Sequence, residues 1–484
     1  MTSGRRTSFS ARDARVNRSA GSARERPKRP GRGGVGHVAP LYKRLPHGPH
    51  RLDRDEVIAN QRTRIHGAMI EAVARNGYEE TSVKEVIALA GVSRRSFYEQ
   101  FANKEGCFLA TVDLIARREL QQIRRTYLKC DGALEQRARA SFERFARTMS
   151  EERKVSVLVV LEAQTAGVPG IGRLLKATGA CEHMLAQSFA QAPEAVSLPT
   201  PIVRAMAGGL HGAAEAFLRE RPSAPPAEIA DELLGWTLQF QSPAAERMGE
   251  RMAAALSMRL REIASAYGNG HGGVEARGRD ERARVLQGVL RLATREDYHA
   301  LSAPQIADEA NVPIDDFWEL FADRDECFLA ALDAIGDELL AIAADPELVS
   351  DDWPRAVRRV LAELMCYLAD HPLQARTLAQ EAFFAGPEAL DRVRYLSHSV
   401  ATLLTEGAPT EARGQFTTEA IAGAIWHTIR CQVAAGRTQL LAALSEHLAY
   451  VVLTPYIGAD AAAELLTEEP EPAGWGVRET ASAG

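Results

Sequence analysis

The sequence is poor in the residues from which metal centres and enzyme sites are built. Only six of its 484 residues are cysteine, and these lie far apart, without a C-x-x-C pair or a histidine at metal-ligand spacing. The phosphate-binding motif G-x-x-x-x-G-K, the zinc motif H-E-x-x-H and the nucleophile motif G-x-S-x-G are also missing. We therefore expect no catalytic residues, no metal and no cofactor, and we interpret the cysteines as reduced thiols.

Long apolar runs and alternating β-branched stretches are scarce as well. No uncharged apolar run approaches the roughly 20 residues that span a bilayer, so we expect a soluble, cytoplasmic protein. From residue 51 onward, Ala, Leu, Glu and Arg recur instead with helical spacing. This pattern predicts an all-α fold.

Charge is distributed unevenly along the chain. Residues 1–50 carry twelve Lys or Arg against one Asp and one Glu, a net charge of +10, whereas the whole chain has −6. Everything after residue 50 is therefore strongly acidic. Because the first 50 residues contain few large apolar side chains, we expect them to form a disordered basic arm that contacts phosphates.

The chain also repeats itself. Residues 62–115 and 282–335 share 17 identical residues of 54 at a constant shift of 220, without a gap. Two weaker matches follow in the same order, EAQTAGVPG (162–170) with EAFFAGPEA (381–389) and AMAGGLHGA (205–213) with AIAGAIWHT (420–428). A tandem duplication of the whole half explains all three matches.

The first repeat has the helix caps and glycine turns of a helix-turn-helix. Gly77 ends a first amphipathic helix. The run S-V-K-E begins a second helix as a capping box, in which Ser82 and Glu85 satisfy backbone amides reciprocally. Gly91 provides a tight turn, and Asn103 caps a later helix. Two short helices joined by a glycine turn and braced by longer helices are typical of this motif.

The short helix after the turn carries two different faces. Ser93 caps it, and we expect it to reach about Phe101, with Phe97 and Phe101 on its buried side. Arg95 and Tyr98 lie on the other side. Arginine near the exposed N-terminal end of such a helix suits the major groove, where its guanidinium binds guanine or phosphate.

Residues 62–115 resemble the DNA-binding domain of the TetR family of bacterial transcriptional regulators, most fully over GYEETSVKEVIALAGVSRRSFYEQFANKEGCF. The resemblance implies helical regulatory domains, which in this family usually hold a small-molecule pocket and a four-helix dimer interface. It also implies repression as the usual activity, released by a small-molecule effector. Carried onto this chain, the expected DNA contacts are Thr81, Ser82, Lys84, Ser93, Arg94, Arg95, Ser96, Tyr98 and Lys104.

The second repeat keeps the packing residues of the first but reverses its charge. Residues 93–106 have a net charge of +1, and the matching residues 313–326 have −5. Because DNA binding depends on neutralising phosphates, this change opposes association with any sequence. We favour a degenerate domain kept for its own fold. The alternatives are an acidic face that docks a basic partner, such as the arm or the first repeat, and a DNA-binding domain of unusual specificity.

These observations divide the chain into seven parts. We expect a disordered arm (1–50), a TetR-type helix-turn-helix domain (51–115), a helical regulatory domain (116–266), a Gly-rich linker (267–279), a degenerate helix-turn-helix domain (280–336), a second regulatory domain (337–466) and a disordered tail (467–484).

The regulatory regions offer candidates for an effector pocket and for pairing. The candidate ligand residues are Phe383, Phe384, Trp426 and His211, large or polar side chains within apolar helices. The small residues of segments 206–218 and 421–433 permit close helix approach, so the two halves can pair within one chain. A homodimer is the other possibility. The alternative function is a ligand- or protein-binding module that no longer uses DNA.

Overall fold

A computed structural model describes residues 54–192, 195–267, 281–296, 298–348, 352–409 and 417–468. The predicted arm, the predicted linker from residue 268 and the predicted tail from residue 469 lie outside these ranges. Every regular element in the described ranges is helical, which confirms the all-α prediction.

The first half contains α1 (Arg54–Glu80), α2 (Val83–Ala90), α3 (Arg94–Tyr98), α4 (Lys104–Lys129), α5 (Leu134–Glu151), α6 (Arg153–Val157), α7 (Gly167–Gln191), α8 (Thr200–Glu220), α9 (Pro226–Leu238) and α10 (Pro243–Tyr267). The second half contains α11 (Glu281–Arg295), α12 (Ala303–Ala310), α13 (Ile314–Leu320), α14 (Arg324–Ala343), α15 (Trp353–Asp370), α16 (Pro372–Ala379), α17 (Pro387–Thr405), α18 (Thr417–Ala434), α19 (Ser445–Ile457) and α20 (Ala459–Thr467). We call α1 to α4 up to residue 115 the first head, and α11 to α14 up to residue 335 the second head.

Most of the predicted helix ends occur where the sequence placed them. Gly77 interrupts α1 with φ 78°, and Asn103 Oδ1 accepts a hydrogen bond from Gly106 N at the start of α4. Two details differ. The helix α3 ends at Tyr98 rather than near residue 101. Ser82 caps α2, but the Glu85 carboxylate accepts hydrogen bonds from the side chain of Asn76 at 2.9 and 3.0 Å, so the predicted reciprocal bond is replaced.

The two heads are attached to the rest of the protein differently. The first head has a compact core of its own, which includes Phe97, Phe101 and Phe108 and extends only to Val155, Leu158 and neighbours after α5. The apolar residues of the second head instead belong to one continuous core that runs through the regulatory helices of both halves. The second head is therefore packed as part of the body of the molecule.

The two halves meet along α8 and α18, the segments predicted to pair. A Cβ added at Gly423 would lie 2.6 Å from the Gly208 carbonyl oxygen and 2.8 Å from Gly212 Cα. A Cβ added at Gly208 would lie 2.4 Å from His427 Cβ. These separations are shorter than any carbon side chain tolerates, so the helices approach backbone to backbone. We call this contact the seam.

Two helical segments are long and apolar enough by composition to cross a membrane, contrary to expectation. They are Arg153–Gln191 and Thr438–Ile457, each with a mean hydropathy of 1.4. Within the structure, 56% and 72% of their most apolar windows are buried. Such burial is typical of core helices in a folded protein.

Replacing Gly423 by Ala should destabilise the protein, because the new methyl group would have to push two backbones apart. Overpacking of this kind costs about 1–3 kcal/mol. Gly235 is a matched control, since a Cβ added there meets nothing within 4 Å and Ala favours a helix interior. Thermal unfolding of the two variants should show a lower midpoint only for Gly423→Ala. An equal change in both would contradict a seam closed by backbone contact.

Candidate nucleic-acid interface

Helices α2 and α3 are joined by a tight turn that depends on one backbone conformation. Gly91 has φ 61° and ψ 41°, the left-handed region, and its N–H bonds back to the end of α2. Ser93 Oγ then accepts a hydrogen bond from Ser96 N at 3.0 Å and starts α3. The turn fixes α3 across α2 without any long loop.

Below α3, aromatic packing holds the helix in place. Phe97 is fully buried, and its ring lies 5.7 Å from that of Phe101. Phe101 in turn contacts the edge of His66 at 5.4 Å. Because these rings fill the underside of α3, its opposite face is presented to solvent as a rigid surface.

The presented face is basic and aromatic. The side chain of Arg95 is 89% exposed, and it forms an ion pair at 2.9 Å with Glu99, which is also exposed. Such exposed pairs contribute at most about 0.5 kcal/mol and give way easily to a phosphate. The guanidinium of Arg94 lies 5.6 Å from the ring centre of Tyr98, which is 45% exposed. Ser82, Lys84 and Ser93 are also exposed, and Ser96 is half-buried.

Two of the predicted contact residues are engaged inside the head. Thr81 is buried, and its Oγ1 donates a hydrogen bond to Gly77 O at 2.7 Å. Lys104 donates to the carbonyl oxygens of Tyr78 and Glu79 at 3.1 and 2.9 Å, and burial lowers the pKa of this lysine. Both side chains therefore stabilise the end of α1 in this structure, whatever they contact when DNA is bound.

The second head repeats these contacts at the shift of 220 residues. Arg324 donates to the carbonyls of Tyr298 and His299, as Lys104 does to those of the first head. Its guanidinium lies 4.7 Å from the Tyr298 ring centre, against 4.4 Å for Lys104 over Tyr78. The ring centres of Phe317 and Phe321 are 5.7 Å apart, the same separation as in the first head. Asn311 takes the place of Gly91, with φ 52°.

The presented face of the second head differs from that of the first. Ile314 and Asp315 stand where the first head has Arg94 and Arg95, and Trp318 stands in place of Tyr98. Ile314 and Trp318 are 36% and 49% exposed, and Asp315 is exposed beside them. In place of the cation–aromatic pair Arg94 and Tyr98, the second head therefore has two exposed apolar side chains, Ile314 and Trp318, beside acidic residues.

A buried polar pair is also confined to the first head. His66 Nδ1 and Thr111 Oγ1 lie 2.8 Å apart, both nearly inaccessible. Burial, helped by the nearby charge of Arg62, lowers the pKa of His66 to about 4. The second head has Leu286 and Ala331 at these positions. The second head therefore lacks this buried titratable pair.

The first head is joined to its regulatory domain by polar contacts at the end of α1. Glu162 Oε2 accepts a hydrogen bond from Tyr78 N at 3.0 Å, next to the break at Gly77. Lys154 pairs with Glu71 at 2.6 Å. A shift of residues 154–162 would therefore displace α1, the helix that supports α3.

The predicted ligand residues lie along or near the seam. Phe383 is buried and Phe384, Trp426 and His211 are half-buried. Sequence reasoning missed the residue between them, Arg430, whose guanidinium lies 5.7 Å from the Phe383 ring centre and 5.9 Å from that of Trp426. The signal was present, since Arg430 is the single charged residue of segment 421–433.

An apolar cavity lies elsewhere, in the first regulatory domain. It encloses about 40 Å³ between α4, α5, α7, α8 and α9. Its wall is almost entirely hydrocarbon and aromatic, formed by Ile123, Tyr127, Leu134, Ala138, Ser141, Phe142, Cys181, Met184, Leu185, Ser188, Phe189, Leu210, Thr237 and Leu238. A site of this character favours an apolar group over a charged one.

The geometry of the first head is that of a helix-turn-helix DNA-binding domain. Residues 68–111 match the family model described as bacterial regulatory proteins, tetR family. Comparison with curated proteins gave no match. Residues 68–111 are therefore similar to the DNA-binding domain of the tetR family, as the sequence predicted.

Similar solved structures include two bacterial regulators. The transcriptional regulator FadR from Bacillus subtilis, in complex with stearoyl-CoA, is 13% identical, with 36% of this chain and 96% of that chain covered and a TM-score of 0.34. A TetR-like transcriptional regulator from Rhodococcus sp. RHA1 is 18% identical, with 39% and 97% covered and a TM-score of 0.31.

Acidification should destabilise the first head selectively. His66 is held neutral when folded, so its contribution is complete above its ordinary pKa of 6.5 and is lost as the pH falls towards 4. The full shift corresponds to about 3 kcal/mol. Hydrogen-exchange protection of α1 and α4, corrected for intrinsic rates, should fall between pH 6.5 and 4.5 in the wild type.

The double variant His66→Leu/Thr111→Ala is the matched control, because it installs the residues of the second head. Its first head should lose much less protection over the same pH range. An equal loss in wild type and variant would show that the sensitivity has another source.

Proposed function

We propose that the protein is a sequence-specific transcriptional repressor of the cytoplasm that reads DNA through its first head and is released by a small-molecule effector. The observation that carries this proposal is the face formed by Arg94, Arg95 and Tyr98. It is exposed and basic, and aromatic packing beneath it keeps it rigid. Such a face is suited to the major groove, with Ser82, Lys84 and Ser93 beside it for phosphates.

The second head has a structural role in this proposal. We infer that the whole half was duplicated, with the predicted domain boundaries, and that the second copy kept its packing and lost its DNA-binding face. The repeated contacts of Tyr298, Arg324 and Phe317 support common descent of the two heads. The continuous core through the second head explains why its fold was retained.

The proposed effector site is the apolar cavity of the first regulatory domain. It is narrow in this structure, so a ligand would have to push its lining helices apart, α7 among them. Displacement of α7 would reach Glu162 through the short turn before it, and Glu162 holds Tyr78 at the end of α1. These contacts connect the cavity to the face formed by Arg94, Arg95 and Tyr98, which we call the reading face. Phe383, Phe384, Trp426 and His211 remain a second candidate site at the seam.

The alternative function is a ligand- or protein-binding module that no longer uses DNA. The acidic face of the second head and the apolar pair Ile314 and Trp318 favour it, because exposed tryptophan is typical of protein contacts. The two functions differ in salt dependence. Phosphate contacts make DNA affinity fall steeply with added salt, whereas a module without DNA shows no such binding.

Arg95→Ala and Tyr98→Phe should weaken DNA binding, because they remove a guanidinium and a hydroxyl from the reading face. A specific base or phosphate contact is worth about 1–3 kcal/mol, so each variant should bind at least several-fold less tightly. Asp315→Ala, at the position equivalent to Arg95, should bind like the wild type. Electrophoretic mobility shifts on a duplex selected by the wild-type protein measure all three. A similar loss in all three variants would contradict an asymmetric reading role.

A further inference from the structure

The seam joins two surfaces that correspond in sequence but are not alike. The matched segments place Gly212 opposite His427 in the alignment, and Glu215 opposite Arg430. The His427 side chain is buried, and its Cβ sits against Gly208, where no side chain other than hydrogen fits. A pairing of two first halves would have Gly212 in place of His427 and would leave the space above Gly208 unfilled.

Charge distinguishes the two surfaces as well. Arg430 is buried, and its guanidinium donates a hydrogen bond to Gln164 Oε1 of the first half at 3.4 Å. Burial lowers the pKa of Arg430 to about 10, and the negative charge of Glu215 acts in the opposite direction. A pairing of two second halves would bring two such guanidinium groups into the same dry interface without that carboxylate. An uncompensated buried charge of this kind strongly disfavours the symmetric pairing.

Contacts beyond the seam join the same two halves. Tyr450 of the second half is fully buried, and its hydroxyl donates a hydrogen bond to Phe240 O of the first half at 2.9 Å. The rings of Trp236, Phe240 and Tyr450 form a row with centre separations of 5.1 and 6.1 Å. Ser242 bonds to Asp460 between α10 and α20. The surface that pairs the halves is therefore occupied within one chain.

A chain whose two halves pair with each other has one basic reading face, that of the first head. The second head presents Ile314, Asp315 and Trp318, which repel or fail to bind phosphates. Proteins that read inverted repeats do so because a twofold axis supplies two equal reading helices about one helical turn of DNA apart. Here the two heads of the closed chain are unequal.

We propose that one chain of this protein binds DNA on its own and that its operator is a single half-site without inverted symmetry. The inference rests on the proposed function, since it assumes that the first head reads DNA. It concerns the symmetry of the target and the number of chains bound, which that function leaves open.

The test uses the full-length protein and a pool of duplexes with about 20 randomised base pairs, or two turns of B-DNA. Bound duplexes are sequenced, and native mass spectrometry gives the number of chains on a selected duplex. We expect an asymmetric motif, one chain per duplex and a non-cooperative binding isotherm. A second duplex, carrying the motif and its inverted copy one turn apart, should bind with the same affinity per site.

Two other results would overturn the inference, and they are distinguishable. Selection of an inverted repeat that binds two chains cooperatively, with binding abolished by Arg95→Ala, would refute the single half-site and leave reading by the first head intact. Failure to select any motif, with Arg95→Ala indistinguishable from wild type in every arm, would refute the proposed function together with the inference.

Discussion

The close approach of α8 and α18 is the constraint on which the rest of the structure depends. Gly208, Gly212 and Gly423 bring the two backbones together, and no larger residue fits at these points. Because the helices come from different halves, the contact folds the chain back on itself. Arg430 is buried at this contact, and the second head shares the continuous core of the two halves. A change at the seam would therefore affect both regulatory domains at once.

The two heads agree at buried positions and differ at exposed ones. Phe97 and Phe317 serve the same purpose, since both fill the underside of the short helix after the turn. Arg95 and Asp315 occupy the same exposed position, where packing sets no demand. Packing therefore requires an aromatic residue at the first pair and leaves the identity of the second pair open. The first head also keeps its own small core, so it is the more independent of the two.

Much of the fold could be predicted from the sequence, because local rules set it. The left-handed turn at Gly91, the caps at Ser93 and Asn103 and the buried stripe of Phe97 and Phe101 all lie within a few residues of their partners. The internal sequence repeat suggested the pairing of the halves, and the small residues of the seam indicated where it occurs.

The contacts that could not be predicted from the sequence join residues that are far apart in the chain. The engagement of Lys104 with carbonyls of α1 joins residues 25 and 26 positions apart, and Arg430 meets Gln164 across 266 positions. The apolar cavity is formed by five helices, and its walls have no short motif. Glu85 is a local example, because its carboxylate accepts hydrogen bonds from the side chain of Asn76 instead of the expected backbone amide.

The central claim is that one chain carries one reading face. It is tested most directly by a photo-crosslinking amino acid placed at Tyr98 in one variant and at Trp318 in another, the equivalent positions of the two heads. The full-length variants are irradiated with a selected duplex, and the crosslinked DNA is quantified. We predict crosslinking from position 98 and none above background from position 318. Comparable crosslinking from both positions would contradict the account.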